Sequence, residues 1–160
     1  MVVDVGALDS AASQLRGGDR FSISAASAAD EPKLCPDPTP EPKTTTSANS
    51  IAYQEYVSGL AYGLAINVGG VNFDGCDPKT GNLLEAKANI DFMFDANDIL
   101  FGWVNSASNP RIQMEAQAEA ATFAGRLVVW HAQTAKGYLA LSKIAAKLEL
   151  ANLSVVFDPN

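Results

Sequence analysis

The sequence predicts a single α+β domain, with a mixed sheet of about four to five strands flanked by helices. The chain has 160 residues, of which 48% are hydrophobic and 18% are charged, as in folded proteins of one domain. Segments with helical periodicity alternate with short apolar runs, in the order helix, two or three strands, helix, strand, helix, strand. This order predicts that helices pack against a mixed sheet.

A proline-rich segment precedes residue 48 and separates two parts of the chain with different composition. Five of the eight prolines lie between Pro32 and Pro42, and such a run favours extended backbone and cannot continue a helix or a central strand. We interpret residues 29–48 as a linker. The sequence therefore predicts an N-terminal segment over residues 1–48, poorly ordered or extended, and one folded domain over residues 49–160.

The first predicted elements of the domain are one helix and two strands. Ser50 can cap a helix over residues 51–64, where apolar residues recur at intervals of three and four. Residues 68–73, which contain a pair of glycines, and residues 83–88 are predicted strands. Residues 77–82 between them are rich in turn-forming types, so we expect an antiparallel hairpin.

The second half of the domain is predicted to alternate helices and strands. Residues 89–107 have no clear periodicity, and we expect irregular structure there with a short helix near residues 97–104. Pro110 suits the first position of the next helix because it lacks a backbone N–H. The remaining predicted elements are a helix over residues 112–124 closed by Gly125, a strand over 127–131, a helix over 134–150 and a strand over 153–157.

Composition and missing motifs exclude several classes of function. The formal net charge of −7 argues against sequence-independent adhesion to nucleic acid, which rests on several Lys and Arg contacts. His131 is the only histidine, so zinc sites of the usual kind lack ligands. Neither the GxSxG motif of hydrolases nor the GxxxxGK[ST] phosphate loop is present. We expect no membrane span and no Sec signal, because the required apolar stretches are absent.

The two cysteines, Cys35 and Cys76, are far apart and lie outside any CxxC pair. This usage is typical of a protein made in a reducing cytoplasm. We therefore expect neither a disulfide framework nor a zinc site.

The predicted hairpin brings three polar side chains together. If the chain turns between Lys79 and Thr80, positions that sum to 159 face each other, and Asp74 lies opposite Glu85. Glu85 and Lys87 are two positions apart on a strand and therefore share a face. Opposed like charges destabilise a sheet by about 0.2–1 kcal/mol, and a divalent cation with oxygen ligands would remove this cost.

These three residues suit the hydrolysis of phosphodiesters. Asp74 and Glu85 would hold Mg²⁺, with Mn²⁺ as a substitute, and Mg²⁺ needs only one or two carboxylates besides water and phosphate. The Lys87 ammonium would orient the attacking water or stabilise developing negative charge. The same residue types also occur together on solvated hairpins without a catalytic role, so the pattern alone leaves both interpretations open.

Five short blocks of sequence occur in a defined order. They are Tyr53–Gly59, Gly70–Gly75, Leu83–Lys87, Gln113 with Gln117, and Val129–His131. In this order they resemble the restriction endonuclease fold toxin 5 family, a branch of the PD-(D/E)xK nucleases. The resemblance covers about residues 53–159 and favours the nuclease interpretation over a solvated hairpin.

The resemblance implies a restriction-endonuclease-like core of one helix, three strands, a helix and a strand. It implies that Asp74, Glu85 and Lys87 form the catalytic motif. It also implies that a glutamate of the first helix joins the metal shell. Glu55 is the candidate for that ligand, and an exposed helix acid is its alternative role.

The resemblance further implies an antibacterial effector that a secretion system, commonly type VI, delivers with a carrier or chaperone. Such a protein would be made in the bacterial cytoplasm, leave it without a Sec signal and act in the cytoplasm of a target cell. A cognate immunity protein would protect the producing cell. We expect it to cover residues 74–87 or to hold this region open, because this face is acidic without metal.

Three further residues are candidates for the site. Gln113 and Gln117 are four positions apart on a predicted helix, so both side chains can reach one phosphate or one metal-bound water. The alternative is a solvated polar stripe. His131 would be an auxiliary residue that contacts phosphate or transfers a proton, or else a hydrogen-bonded structural histidine.

The expected function is therefore that of a Mg²⁺-dependent endonuclease toxin, with DNA as the expected substrate and RNA as the alternative, since the three residues do not distinguish the two. The competing hypothesis is an inert nuclease-like fold that serves as a protein-binding or adaptor module. Residues 51–160 contain eleven acidic and seven basic side chains, so few cations are available to hold DNA. Besides Lys87 these are Lys79, Arg111, Arg126, Lys136, Lys143 and Lys147.

Overall fold

The structure is a computed structural model that describes residues 33–43 and 45–160. These residues belong to one compact unit, Lys33–Asn160. The expectations for residues 1–32 lie outside the described residues. The elements of the described part are β1 (Thr39–Pro40), α1 (Ala48–Ser58), β2 (Leu64–Val68), β3 (Val71–Phe73), β4 (Gly75–Cys76), β5 (Leu83–Lys87), a 3₁₀ turn (Asp91–Met93), α2 (Pro110–Phe123), β6 (Val128–Ala132), α3 (Ala135–Leu148) and β7 (Leu153–Phe157).

The strands form two sheets. β1, β2 and β3 form a three-stranded antiparallel sheet, and β4, β5, β6 and β7 form a four-stranded sheet in that order. In the second sheet β4 is antiparallel to β5, whereas β5, β6 and β7 are parallel to one another. These observations confirm the predicted α+β fold with a mixed sheet.

The strand expected over residues 68–73 is instead part of a hairpin. β2 pairs with β3, and Val68 lies opposite Val71. Gly69 and Gly70 form the turn between them, with φ of 60° and 84°. Glycine adopts positive φ at both central positions of such a turn without strain. The glycine pair therefore connects two strands.

Helix α1 begins and ends earlier than predicted. Its N-cap is Ser47 rather than Ser50, because the Ser47 hydroxyl accepts a hydrogen bond of 3.3 Å from the backbone N–H of Ser50. The helix ends at Ser58 because Gly59 adopts left-handed backbone geometry with φ of 66°. The end of the predicted helix, Leu64, is therefore the first residue of β2.

Helices α2 and α3 and strands β6 and β7 follow the prediction closely. α2 begins at Pro110 with Asn109 as its N-cap, and α3 follows its N-cap, Thr134. β7 has the predicted bounds, Leu153–Phe157. None of the helices in the described residues is long and apolar enough to cross a bilayer.

The short helix expected near residues 97–104 is wrong, since that fully described range contains turns and no helix. Asp95 provides a physical reason. Its Oδ1 accepts hydrogen bonds from the backbone N–H groups of Asn97 and Ile99, at 2.8 and 2.9 Å. A side chain that takes up these N–H groups competes with helix formation.

The core lies between the four-stranded sheet and helices α2 and α3. Trp130 of β6, Met114 of α2 and Leu141 of α3 are completely buried. The buried positions of α2 recur at three- and four-residue spacing, so they form one stripe facing the sheet. This stripe includes one polar residue, Gln117, which reaches the site described below.

The described part of the proline-rich segment belongs to the compact unit. β1 pairs with β2, and Cys35 forms a disulfide with Cys76 of β4 across a Cα–Cα distance of 5.8 Å. The expectation that the chain has no disulfide framework is therefore wrong. They are 41 residues apart in the sequence, and the pairing of β1 with β2 returns the segment to the sheet.

Candidate active site

The β4–β5 hairpin places Asp74 beside Glu85. The two strands pair in the predicted register, in which facing positions sum to 159. Asp74 immediately precedes β4, and its Oδ2 accepts a hydrogen bond of 2.9 Å from the backbone N–H of Ala86. The carboxylate of Asp74 is therefore fixed against the strand that carries Glu85.

Local interactions at both ends set this hairpin. In the turn, Asp77 accepts hydrogen bonds from the backbone N–H of Lys79 at 2.9 Å and from the hydroxyl of Thr80 at 3.0 Å. These hydrogen bonds lower the pKa of Asp77. At the other end α1 crosses Gly75, where a Cβ atom would lie 2.8 Å from Ser58. The turn and the close helix contact together position the strand pair.

Glu85 is a buried carboxylate, only 4% exposed, with donors on both oxygens. Its Oε1 accepts hydrogen bonds from Lys87 Nζ and from Gln113 Nε2, each at 2.6 Å. Its Oε2 accepts a hydrogen bond from Gln117 Nε2 at 2.7 Å. Burial of a charge is costly unless such partners are present. The network therefore holds Glu85 in one orientation.

Gln117 links Glu85 to the neighbouring strand. Its side chain is fully buried, and its Oε1 accepts a hydrogen bond of 2.8 Å from the indole N–H of Trp130. An indole N–H can only donate and a carboxylate can only accept, so the amide has one suitable orientation. Gln117 is therefore an ordered part of the site, and the solvated stripe considered above does not describe it.

Lys87 lies between Glu85 and Gln113. Its Nζ is 2.7 Å from Gln113 Oε1, and it lies 4.8 Å from the centre of the Trp130 ring. An ammonium above an indole face is attracted by the negative face of the ring. The position of the cation is thus set by one carboxylate, one amide and one aromatic ring.

Asp74 is less well compensated than Glu85. Its side chain is 13% exposed, and its pKa is raised to about 7. Burial is the largest cause, and the negative charge of Glu85 adds to it, whereas Lys87 and the N–H of Ala86 act in the opposite direction. An additional cation beside Asp74 and Glu85 would therefore be stabilised.

Lys43 is a site residue that the sequence analysis missed. It belongs to the proline-rich segment, and its Nζ lies 3.5 Å from Asp74 Oδ1 and forms an ion pair with Glu41. Burial alone would lower the pKa of Lys43, but Glu41 and Asp74 outweigh that effect and raise it. Proline content indicates extended backbone, and it does not indicate which side chain contacts a residue 31 positions later.

Asp74 and Glu85 line one cavity of about 270 Å³, together with Lys43, Gln54 and Gln113. Two carboxylates with incompletely balanced charge fit the donor preference of Mg²⁺. Within residues 33–43 and 45–160, no group of three or more His, Cys, Asp or Glu side chains is arranged to hold a metal. An ion at Asp74 and Glu85 would therefore complete its coordination with water and phosphate, as Mg²⁺ commonly does.

Glu55, the candidate third ligand, is not brought to this cluster. Its side chain is exposed, and its Oε1 accepts a hydrogen bond of 2.9 Å from the backbone N–H of Tyr62. Its neighbour Gln54 lines the cavity instead. Only Tyr53 is fully buried in α1, so the apolar pattern of this helix does not define its inward face.

His131 lies on the opposite face of the sheet from Glu85. β5 and β6 pair Glu85 with Trp130, and the next residue of a strand points to the other face. The Nδ1 of His131 lies 2.9 Å from Oδ2 of Asp158. This placement supports the structural role considered for His131, and it separates this residue from the cluster of Asp74, Glu85 and Lys87.

Comparison with known protein families agrees with this geometry. The family described as Restriction endonuclease fold toxin 5 matches residues 50–135, just over half of the chain. This range contains Asp74 and the whole hydrogen-bond network around Glu85. No curated protein matches the chain significantly. The resemblance inferred from the sequence is confirmed: the chain belongs to the restriction endonuclease fold toxin 5 family and is a nuclease toxin.

Proposed function

We propose that this nuclease toxin is a Mg²⁺-dependent endonuclease that hydrolyses the phosphodiester bonds of DNA. One observation carries the proposal: Asp74 and Glu85 line the same cavity, and the ammonium of Lys87 contacts Glu85 at 2.6 Å. When bound, Mg²⁺ or Mn²⁺ would polarise the phosphate and lower the pKa of a water molecule.

Each side chain of the site would have a distinct role in the reaction. Asp74 and Glu85 would hold the ion through their carboxylate oxygens. Lys87 would stabilise negative charge that develops on the phosphate, since a fixed cation in a site with little water is effective there. Gln113 contacts both Glu85 and Lys87 and reaches the cavity, so its amide is available to a phosphate or to a water. Gln117 is a positioning residue that acts through Glu85.

The proposed biological setting is competition between bacteria. The toxin would be delivered by a secretion system, with type VI as the candidate route and a carrier or chaperone as helper, and would act in the cytoplasm of the target cell. A cognate immunity protein would protect the producing cell. The incompletely balanced charge beside Asp74 supports residues 74–87 as the surface that this inhibitor covers, by means of a basic or amide-rich segment.

Nicking of supercoiled plasmid DNA by the purified protein in Mg²⁺ tests the catalytic proposal. We expect Glu85→Ala and Lys87→Ala to slow nicking by about 10²–10³-fold or more, because the first removes a ligand of the proposed ion and the second removes a cation beside the reacting phosphate. Glu119→Ala is the matched control, since Glu119 is an exposed carboxylate on α2, and it should nick at the wild-type rate. Undiminished nicking by both site variants would contradict the proposal.

The same preparation separates the finer alternatives. Excess chelator should abolish nicking, and an RNA of similar length should be cut more slowly than DNA. A wild-type protein that neither cleaves nucleic acid nor arrests growth when made in the bacterial cytoplasm would instead favour the inert, partner-binding fold.

A further inference from the structure

Three aromatic rings form an exposed stack on the connection between β5 and α2. Phe92 and Trp103 are 63% and 62% exposed, and Phe101 is also exposed. Trp103 is adjacent to each of the other two, with ring centres 6.2 Å from Phe92 and 6.1 Å from Phe101 and interplanar angles of 12° and 19°. Large apolar surfaces that face water commonly mark a binding site.

The backbone beneath this stack is held in place. The N–H of Phe101 donates to the carbonyl of Met93 at 2.9 Å. Lys136 of α3 donates to the carbonyl of Phe94 at 3.1 Å, and the Phe94 side chain is buried in the core. The Asp91 carboxylate accepts a hydrogen bond from the hydroxyl of Thr134. The rings therefore project from an ordered support.

A cavity of about 550 Å³ adjoins this connection and is rich in cations. Arg111 from the first turn of α2 and Lys143 and Lys147 from α3 line it, together with Ile99 and Leu100 from the connection. Three of the seven basic residues in 51–160 are thus gathered at one place, which concentrates positive charge on a chain that is acidic overall. Such local concentration attracts a polyanion in spite of the net charge.

Acidic residues balance these cations only in part. Lys143 is paired with Asp98 at 2.6 Å. Arg111 is 3.6 Å from Glu115, and both of these side chains are exposed to water, which makes such a pair weak. Lys147 occupies the last turn of α3. The cavity therefore retains positive charge beside the connection that carries the aromatic stack.

The surface is connected to the catalytic cluster by short stretches of chain. Arg111 is two residues before Gln113, which contacts Glu85 and Lys87. Phe92 is five residues after Lys87, so their Cα atoms are at most about 18 Å apart. A bound strand of a few nucleotides spans that distance.

We propose that Phe92, Phe101 and Trp103, with Arg111, Lys143 and Lys147, form the surface that binds an unpaired stretch of the nucleic acid substrate. Bases would stack on the aromatic rings, and phosphates would contact the cations. This combination of aromatic rings and cations is how proteins hold single strands without reading their sequence. Paired bases inside a duplex do not offer their faces to such a stack. The inference rests on the proposed nuclease function and assigns its substrate contacts.

Fluorescence anisotropy with a labelled single-stranded DNA of about 12 nucleotides, a length near the usual site size, tests this surface. The full chain is used in chelator, so binding is measured without cleavage. We expect the wild type to bind the single strand more tightly than a blunt duplex of the same sequence. The double variant Phe92→Ala/Trp103→Ala should bind the single strand at least about tenfold more weakly.

The cations have a separate readout. Lys143→Gln/Lys147→Gln should reduce the slope of log affinity against log salt by about 1.4, since each phosphate contact to a single strand contributes about 0.7. Phe123→Ala and Lys79→Gln are the matched controls, because Phe123 is an exposed ring at the end of α2 and Lys79 an exposed cation. Both should behave as the wild type.

Several outcomes would overturn the inference. Unchanged affinity in the aromatic variant, or tighter binding to the duplex than to the single strand, would each do so. Aromatic variants that keep oligonucleotide affinity but lose a self-association seen for the wild type by sedimentation would assign the surface to a protein partner. Trp103→Phe keeps a stacking ring and should retain binding, which separates loss of stacking from loss of fold. Binding without any nicking in Mg²⁺ would leave the surface standing and contradict the catalytic proposal alone.

Discussion

Glu85 and Asp74 are the two carboxylates of one site, but the molecule holds them differently. Glu85 takes its hydrogen bonds from Lys87, Gln113 and Gln117, all inside the range that matches the family. Asp74 takes one from the backbone of β5 and one from Lys43, which precedes that range. We call Glu85 and its three side-chain partners the Glu85 half of the site, and Asp74 with Lys43 the Asp74 half. All residues of the Glu85 half lie within the matched family range, whereas the Asp74 half also depends on the proline-rich segment.

The two halves also differ in charge balance. Both oxygens of Glu85 have side-chain donors within 2.7 Å, and one donor is an ammonium. The ammonium nearest Asp74 is 3.5 Å away and is shared with Glu41. Burial of Asp74 and the negative charge of Glu85 raise its pKa to about 7, and Lys87, Lys43 and the N–H of Ala86 offset this rise only in part. We infer that the Glu85 half orients the site and that the Asp74 half responds to a proton or a cation that enters it.

Gln117→Leu removes a buried hydrogen-bond partner from the Glu85 half and should have the largest effect on stability. The substitution leaves Glu85 Oε2 and the Trp130 N–H buried without their present partner, which should cost about 3–5 kcal/mol of unfolding free energy. Urea unfolding of the wild type and the variant measures the loss. Gln54→Leu is the matched control on the Asp74 side, where the amide is half-buried at the cavity, and it should cost less than about 1 kcal/mol. Equal losses would contradict the comparison.

Reduction of the Cys35–Cys76 disulfide removes the covalent link between the proline-rich segment and β4, and so affects the Asp74 half. A cross-link between residues 41 positions apart should contribute about 2–4 kcal/mol by restricting the unfolded chain. Addition of a thiol should therefore lower the Tm of the wild type and leave that of Cys35→Ser/Cys76→Ser unchanged. The fluorescence of Trp130, measured in Trp103→Phe protein, should not change on reduction, because Trp130 belongs to the Glu85 half. A Tm that does not respond to thiol would contradict this prediction.

The parts of the fold that sequence predicted are those set by local interactions. The β4–β5 register follows from a turn that Asp77 closes with residues two and three positions away. The start of α2 follows from Pro110 and the cap at Asn109. Side-chain alternation on β5 then places Glu85 and Lys87 on one face. The juxtaposition of Asp74, Glu85 and Lys87 could be predicted because each of these steps involves neighbours in sequence.

The missed features depend on contacts between distant residues. Lys43 reaches Asp74 because β1 pairs with β2, and nothing in the pattern of a five-proline segment indicates that pairing. The same return of the chain brings Cys35 to Cys76. His131 is held by Asp158, 27 positions later, so its partner could not be assigned before β7 was placed beside β6. These contacts are consequences of the assembled sheets.

The pH dependence of the unfolding free energy, measured in chelator, tests the Asp74 half separately. The folded-state pKa of Asp74, about 7, lies above its ordinary value of 3.8. The folded protein therefore retains a proton that the unfolded chain loses, and stability falls as pH rises from about 4 to about 7 and then levels. We expect a fall on the order of 2 kcal/mol once solvent access through the cavity is allowed for. Asp74→Asn should remove this fall, and a fall of the same size in Asp74→Asn would assign it to another group.

Lys43→Met should shift the pH range over which stability falls. The positive charge of Lys43 lowers the pKa of Asp74, so its removal should extend the fall in stability to higher pH. Lys33→Met is the matched control, because Lys33 pairs with Asp37 on the exposed surface of the same segment. The control should keep the wild-type profile, and an equal shift in both variants would point to a general effect of charge.

The smallest effect is expected for Glu55→Gln, which tests where the site ends. The amide oxygen of glutamine can still accept the hydrogen bond from the N–H of Tyr62, so the turn after α1 is kept while the negative charge is removed. Because Glu55 is exposed and Gln54 lines the cavity in its place, plasmid nicking should stay within about twofold of the wild-type rate. A loss comparable with that of Glu85→Ala would mean that α1 rotates when metal binds and supplies a third carboxylate. In that case Glu55 of α1 would be a ligand alongside Asp74, and this part of the site would form only when the metal ion binds.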